Sequence, residues 1–224
     1  MSVSSPPTRS VLVTDFDGTM TRTDFYLLAR ARWWDETKPD PWLDYIAGRI
    51  THFDALNLFF ARIRADEATL REFVDGMGLD PAIPSAFARL HQAGWALVIA
   101  SAGCEWYIRH LLRDIATPYV LHANPGRLTA EGSLQMIPPT DSPFFTPRTG
   151  IDKVAVVRDA QRRFDRVAFA GDGPPDAEPA RLVPASLRFA RGHLAETLRR
   201  EGEGFLPLTD WARLTDTLLQ LPSP

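Results

Sequence analysis

The sequence predicts an α/β fold, a largely parallel sheet flanked by helices, with a small all-helical segment inserted after the first strand. Three observations carry that expectation. Short apolar runs with β-branched residues alternate with longer stretches of helical periodicity, the pattern of strands joined through crossover helices. The clearest of those runs, Trp95-Ala96-Leu97-Val98-Ile99-Ala100, is apolar at every position, as suits a strand covered on both faces. From about Thr21 to Asp80 the alternation stops and only helical periodicity remains.

Taken in order, the first strand is Val11-Leu12-Val13-Thr14-Asp15-Phe16, which stops at Asp17-Gly18. In the helical segment Phe25, Leu28 and Ala29 share one face, as do Phe53, Leu56, Phe60 and Ile63. The Pro39-Asp40-Pro41 turn separates its first two helical stretches, and Asp66 is placed to cap its last one. Residues 21–80 are therefore expected to form a cap, a lid over a site at the end of the first strand. Residues 1–20 and 81–224 are expected to form the core. Helices are expected over Pro81–Ala93, Glu105–Arg113, Asp152–Phe164, His193–Arg200 and Thr209–Leu221. Between them lie strand Val167–Ala170, ending at Gly171-Asp172-Gly173, and weaker strands at Tyr119–Leu121, Leu187–Ala190 and Phe205–Leu206.

Composition narrows the function classes. A chain of 224 residues suffices for one large domain, or a core domain with an insert. Hydrophobic residues at 45% and charged residues at 24% suit a globular protein and argue against disorder. Twenty-five Lys and Arg against 28 Asp and Glu leave a net charge of −3, without the basic field that nucleic acid or an anionic membrane attracts. No apolar run reaches the roughly 20 residues that span a bilayer. Met1 to Ser10 has no hydrophobic stretch of the secretory kind, so a cytoplasmic protein is expected. The single cysteine, Cys104, excludes an internal disulfide and a cysteine-built metal site.

Ligands of open α/β sheets bind at the carboxyl ends of the strands. The ends here are Asp15-Phe16-Asp17-Gly18-Thr19, Ser101-Ala102-Gly103 and Gly171-Asp172-Gly173-Pro174-Pro175-Asp176, so four carboxylates and a hydroxyl converge on one crevice. Two like charges about 4 Å apart repel by roughly 4 kcal/mol at an effective dielectric near 20. Such a cluster needs a cation, and hard oxygen ligands select Mg²⁺. With Lys153 as a fixed positive charge, the site suits a dianionic phosphate. Asp15 and Asp17, two positions apart, point the same way from extended backbone, so one can attack while the other manages protons. Thr19 can hold the loop or touch phosphate, and Ser101 is expected to open a helix whose free N–H groups suit an anion.

Asp15-Phe16-Asp17-Gly18-Thr19, Ser101, Lys153 and Gly171-Asp172-Gly173-Pro174-Pro175-Asp176 resemble the four ordered motifs of the haloacid dehalogenase-type phosphatases, a Rossmann-like fold. The helical insert resembles the small cap of the subgroup containing phosphoserine phosphatase. The resemblance implies that Asp15 is the nucleophile that becomes an aspartyl phosphate, and that Asp17 is the general acid and then the base. It implies Mg²⁺ on the Asp15 side chain, the Asp17 backbone carbonyl and Asp172, with Asp176 holding the metal's water shell or Lys153. Ser101, Lys153 and the backbone amides of Phe16 and Ala102 would hold the phosphoryl oxygens. Within the subgroup, Asp17 to Asp24, His122-Ala123 and Leu187–Arg191 are most similar to the methionine-salvage phosphatases that act on a 2-hydroxy-3-keto-5-methylthiopentenyl phosphate. The chain departs from them at Pro138–Phe145, which has none of their cysteines. Phosphoserine phosphatases use a cap arginine for the substrate carboxylate. Phe59 or Phe60 stands in that place here, with Arg62 and Arg64 nearby.

The expected partner is a small phosphorylated metabolite, bound by a monomer or homodimer. Asp24, Trp106 and His122 are candidates for substrate contact, and Trp106 and Tyr107 are expected either to line the pocket or to pack between core and insert. Trp33 and Trp34 are expected in the packing of the insert. Cys104 is expected to be a small buried residue. His52, His91, His110 and His193 lack metal-ligand spacing and read as structural or surface residues, and Arg162-Arg163 and Arg199-Arg200 as solvated helix faces. Rival readings are a phosphotransferase or mutase on the same scaffold, and a non-catalytic phosphometabolite-binding module.

Overall fold

The computed structural model describes residues 9–222; most of the Met1–Ser10 stretch lies outside the described residues. Strand β1 (Ser10–Thr14) is buried at every position, as its apolar run requires. Gly18 then turns the chain at φ +67°, a left-handed conformation natural to glycine. Four helices follow without an intervening strand: α1 (Phe25–Trp33), α2 (Pro41–Ile46), α3 (His52–Phe60) and α4 (Glu67–Asp75). Each begins at a side-chain cap, with Asp24, Asp40, Thr51 and Asp66 accepting from the N–H groups of Tyr26, Trp42, Asp54 and Thr69. Phe25, Ala29, Phe53, Leu56, Phe60, Ile63, Leu70 and Val74 are buried, so the faces read from the sequence make the packing surface of this layer. A bridge between Thr21 and Leu79 brings the two ends of the segment together.

The chain then alternates: α5 (Ile83–Gln92), β2 (Trp95–Cys104), α6 (Glu105–Leu111) and β3 (Val120–Asn124). Two small antiparallel hairpins come next, β4 (Gly126–Leu128) with β5 (Leu134–Met136), and β6 (Phe145–Thr146) with β7 (Gly150–Ile151). These short strands lie among Gly, Pro, Ser and Thr, without an apolar run to announce them. The first hairpin seats on the helical segment, with Met136 N–H donating to Asn57 Oδ1 at 2.9 Å. The alternation resumes with α7 (Lys153–Arg163), β8 (Arg166–Gly171), α8 (Ala177–Arg181), β9 (Arg188–Ala190), α9 (Gly192–Arg200), β10 (Leu206–Pro207) and α10 (Trp211–Leu219).

Six strands form one parallel sheet in the order β10-β9-β8-β1-β2-β3. Leu12, Leu97 and Ile99 pack on one face against Phe87 of α5 and Trp211 and Leu214 of α10. Val11, Val13 and Phe169 pack on the other against Val157 of α7 and Leu194 and Leu198 of α9. The alternation of side chains along each strand divides the core in this way. No helix among the described residues is long and apolar enough to cross a membrane.

Candidate active site

Strand β1 lies between β8 and β2, so the residues after its last one look into a crevice walled by the ends of all three. Asp15 N–H donates to Ala170 O of β8 at 2.9 Å. The loop that follows is wound tightly, with the N–H groups of Thr19, Met20 and Thr21 all converging on Phe16 O. Arg191 donates from Nε to Gly18 O at 2.5 Å and from Nη2 to Thr21 O at 2.6 Å, and Trp211 Nε1 donates to Thr19 O at 3.0 Å. Thr19 Oγ1 donates to Asp172 Oδ1 at 2.8 Å, so its hydroxyl holds the loop.

Lys153 is the first residue of α7 and only 4% exposed. Its Nζ lies 2.7 Å from Asp15 Oδ1 and 2.6 Å from Asp176 Oδ1. The other Asp176 oxygen accepts from the N–H groups of Asp172 and Gly173 at 3.0 and 2.9 Å. Asp15, Asp172 and Asp176 each bring a carboxylate oxygen within 4.8 Å of the others. Burial first, and then Asp176, raises the Asp15 carboxyl above its ordinary range despite Lys153. The same two causes push Asp172 up to about 6. Burial pulls the Lys153 ammonium down, but Asp15 and Asp176 outweigh it and the net shift is upward. Three carboxylates against one ammonium leave the cluster short of positive charge, and an all-oxygen donor set of this kind fits Mg²⁺. Gly18 is required beside it, because a Cβ there would lie 2.3 Å from Asp172 Oδ2. The Asp17 side chain stands outside this trio.

Asp17 instead turns toward the helical segment. Its Oδ2 accepts from Tyr107 Oη at 2.8 Å and from Ser101 Oγ at 3.5 Å, and its Oδ1 accepts from Phe25 N–H at 3.1 Å. Burial, and then the charge of Asp24, push its carboxyl up to about 7 against the pull of those donors. Ser101 does not open a helix. Strand β2 continues to Cys104 and α6 starts at Glu105, because the pairing of β2 with β3 shifts between Ala100 and Cys104 and carries the strand past the expected turn. Ser101 Oγ accepts from Gly103 N–H at 2.9 Å, and the Asn124 amide donates to Ala102 O at 2.7 Å and Thr149 O at 3.0 Å, fixing this irregular stretch.

A cavity of about 250 Å³ opens over these groups. Asp15, Asp17, Ser101, Ala102, Lys153 and Asp172 form its floor, and Asp24, Tyr26, Leu27, Trp42, His52, Leu56, Phe60 and Tyr107 its walls. Phe16 is buried beneath the loop and Asp176 behind Lys153. Asp24 caps α1, and burial pushes its carboxyl up to about 6. Two expected contacts fall elsewhere. Trp106 lies in a separate surface groove with the Arg71 guanidinium 5.0 Å from its ring, because neighbouring residues on a helix point about 100° apart and Tyr107 takes the inward direction. His122 packs on Phe144 at 4.7 Å and does not line the cavity. Arg62 lies over Trp34 and donates to Pro39 O, and Arg64 donates to Ala61 O and Ile63 O, so neither reaches the cavity. Cys104 is fully buried, and burial pushes its thiol up to about 12.

Sequence reasoning passes over Arg191 as a clamp on the loop, and over Tyr26, Trp42 and His52 as cavity walls. Only helical periodicity marks the last three, and it does not say which way each side chain faces.

The family model for haloacid dehalogenase-like hydrolases matches residues 12–181. No protein among curated sequences matches the chain. Among solved structures, a phosphoserine phosphatase from T. onnurineus is 18% identical with a TM-score of 0.67, covering 99% of this chain and 100% of that one. A probable phosphoserine phosphatase from Vibrio cholerae is 18% identical with a TM-score of 0.64, covering 97% and 69%. A HAD family hydrolase from Salmonella enterica is 15% identical with a TM-score of 0.62; 82% of this chain is covered, and it spans 63% of that protein's length. At these identities the likeness is one of fold.

Proposed function

The chain belongs to the haloacid dehalogenase-like hydrolases, and on that premise we propose that it is a Mg²⁺-dependent phosphomonoesterase of a small metabolite. The observation that carries the reading is the contrast between two carboxylates at one strand end. Asp15 is paired with Lys153 at 2.7 Å and belongs to the trio of acids that a cation would bridge, whereas Asp17 stands outside the trio and accepts from Tyr107 Oη and Phe25 N–H. A carboxylate aimed at the cation site is placed to attack, and one held beside it by neutral donors is placed for proton transfer.

In the proposed reaction an Asp15 oxygen forms a bond to phosphorus as the bond from phosphorus to the leaving oxygen breaks, and Asp17 gives that oxygen its proton. Asp17 then takes a proton from water, whose oxygen attacks the aspartyl phosphate and releases Asp15 and inorganic phosphate. Lys153, Ser101 and the backbone of Phe16 and Ala102 orient the phosphoryl oxygens. Asp15, Asp172 and the Asp17 backbone carbonyl would hold Mg²⁺, with Asp176 fixing Lys153 and the Asp172 loop. The ion would supply charge neutralisation of the phosphoryl group. Residues 21–80 act as the cap, opening to admit substrate and closing to exclude water.

The walls favour an apolar leaving group of the methylthio-keto-pentenyl phosphate type over phosphoserine, since among the described residues no arginine lines the cavity to meet a carboxylate. The test is hydrolysis of 4-nitrophenyl phosphate with Mg²⁺, with EDTA, and by Asp15→Asn. Turnover that needs Mg²⁺ and is lost in the variant supports the reading. Turnover that persists in Asp15→Asn overturns the role given to Asp15.

A further inference from the structure

His52 is the first residue of α3 and lines the cavity, 8% exposed. Its Nδ1 is buried and has no hydrogen-bond partner among the described residues. The ring packs edge-on against Trp42 at 5.6 Å and Tyr45 at 5.4 Å. Burial, and then the charges of Lys153 and Arg148, hold the imidazole down at about 4, so it is neutral near pH 7. A buried polar atom without a partner is uncommon in a folded protein, and in a residue that lines a cavity a ligand that shifts the wall can satisfy it.

The surroundings restrict that ligand. Leu27, Leu56, Phe60 and Trp42 supply apolar wall. Lys153 is engaged by Asp15 and Asp176, and Arg64 and Arg62, whose Nη1 is buried without a partner among the described residues, both lie outside the cavity lining. A carboxylate on the leaving group would find no free cation and would face Asp17 and Asp24. An ammonium on the leaving group would meet Asp24, whose second oxygen can still accept, but its remaining N–H groups would face the apolar walls.

Resting on the phosphomonoesterase reading, we propose that His52 is a specificity-determining residue whose Nδ1 hydrogen-bonds an oxygen of an uncharged, largely apolar leaving group. A neutral imidazole nitrogen either donates or accepts, so a keto oxygen is met by the Nδ1–H tautomer and a hydroxyl by either.

The test compares 2-oxopentyl phosphate, pentyl phosphate, O-phosphoethanolamine and O-phosphoserine on the wild type, His52→Phe and His52→Gln, with Mg²⁺-dependent beryllium fluoride binding as a separate reading of the phosphoryl site. In the wild type, kcat/KM for the oxo ester exceeds that for each of the other three by about tenfold or more. His52→Phe loses the oxo-over-alkyl preference through KM, with kcat little changed, and His52→Gln retains part of it. The wild-type comparison decides even if His52→Phe does not fold. Equal use of oxo and alkyl esters, preference for a charged ester, or a preference that survives in folded His52→Phe overturns the proposal. If beryllium fluoride binds while the preference is absent, the specificity proposal alone falls. If no ester turns over and beryllium fluoride does not bind, the phosphatase reading falls and the proposal with it.

Discussion

The Tyr107 hydroxyl donates to Asp17 Oδ2 at 2.8 Å, across a space that Gly103 leaves open. Tyr107 is fully enclosed and stacked on Phe25 at 4.5 Å, so the donor is fixed in place. The other Asp17 oxygen is held by Phe25 N–H at the start of α1. The proposed proton donor is thus oriented jointly by α6 of the core and the first helix of the segment above the site.

Tyr107→Phe keeps the ring and removes only the hydroxyl. A hydrogen bond to a charged group is worth about 1.5–3 kcal/mol, so kcat is expected to fall about 10- to 100-fold. Because Tyr107 acts through Asp17, KM for 4-nitrophenyl phosphate stays within about twofold. A parallel rise in KM would mean that Tyr107 binds substrate instead.

Gly103→Ala tests the same geometry from the backbone. A Cβ at position 103 would lie 1.9 Å from Tyr107 Oη and 2.5 Å from Asp17 Oδ2. Both groups must move, so turnover is expected to drop by at least about 100-fold while circular dichroism still reports the parallel α/β fold. Wild-type turnover in this variant would contradict the assigned position of Asp17.

The acidic trio gives opposite expectations with and without metal. In the metal-free protein Asp172→Asn removes a repelling charge from Asp15 and Asp176, and the melting temperature is expected to rise. With Mg²⁺ present the order reverses, because the wild type gains binding energy that the variant lacks. EDTA is expected to abolish turnover and Mg²⁺ to restore it. Scanning calorimetry of both proteins with EDTA and with Mg²⁺ checks the crossover.

His52 gives a pH signature separate from the acids. Its folded value of about 4 lies below the ordinary 6.5, so the unfolded chain binds the extra proton between those values. The stability it contributes is present above about pH 6.5 and is lost as pH falls to about 4, amounting to about 3 kcal/mol. Urea titrations of wild type and His52→Phe at a series of pH values are expected to differ in slope across this window. The acids raised by burial act with the opposite sign in both proteins and cancel in the difference.

Much of this arrangement is legible in the sequence, for physical reasons. An apolar run that ends in Asp15-Phe16-Asp17-Gly18 announces both a covered strand and what stands at its carboxyl end. All six strands of the sheet, and α5, α6, α7, α9 and α10, follow from such alternation. The strand at Trp95 is harder, since Ser101-Ala102-Gly103 has no apolar signal and the shifted pairing that extends it to Cys104 is a property of β3. Helix α8 is hidden in the sequence by Pro174 and Pro175 before it and Pro179 within it. The choice of Tyr107 over Trp106 depends on the rotation of a seven-residue helix, and the orphaned nitrogen of His52 depends on Trp42 and Tyr45 arriving from another helix. Neither is a local property of the chain.

The central claim is that Asp15 becomes covalently phosphorylated. Its most direct test is acid-quenched mass spectrometry of the protein mixed with 4-nitrophenyl phosphate and Mg²⁺, followed by borohydride reduction and peptide mapping. Conversion of position 15 to homoserine, absent without substrate and absent in Asp15→Asn, is the expected result. Substrate turnover with an unmodified Asp15, or with the label on another residue, would contradict it.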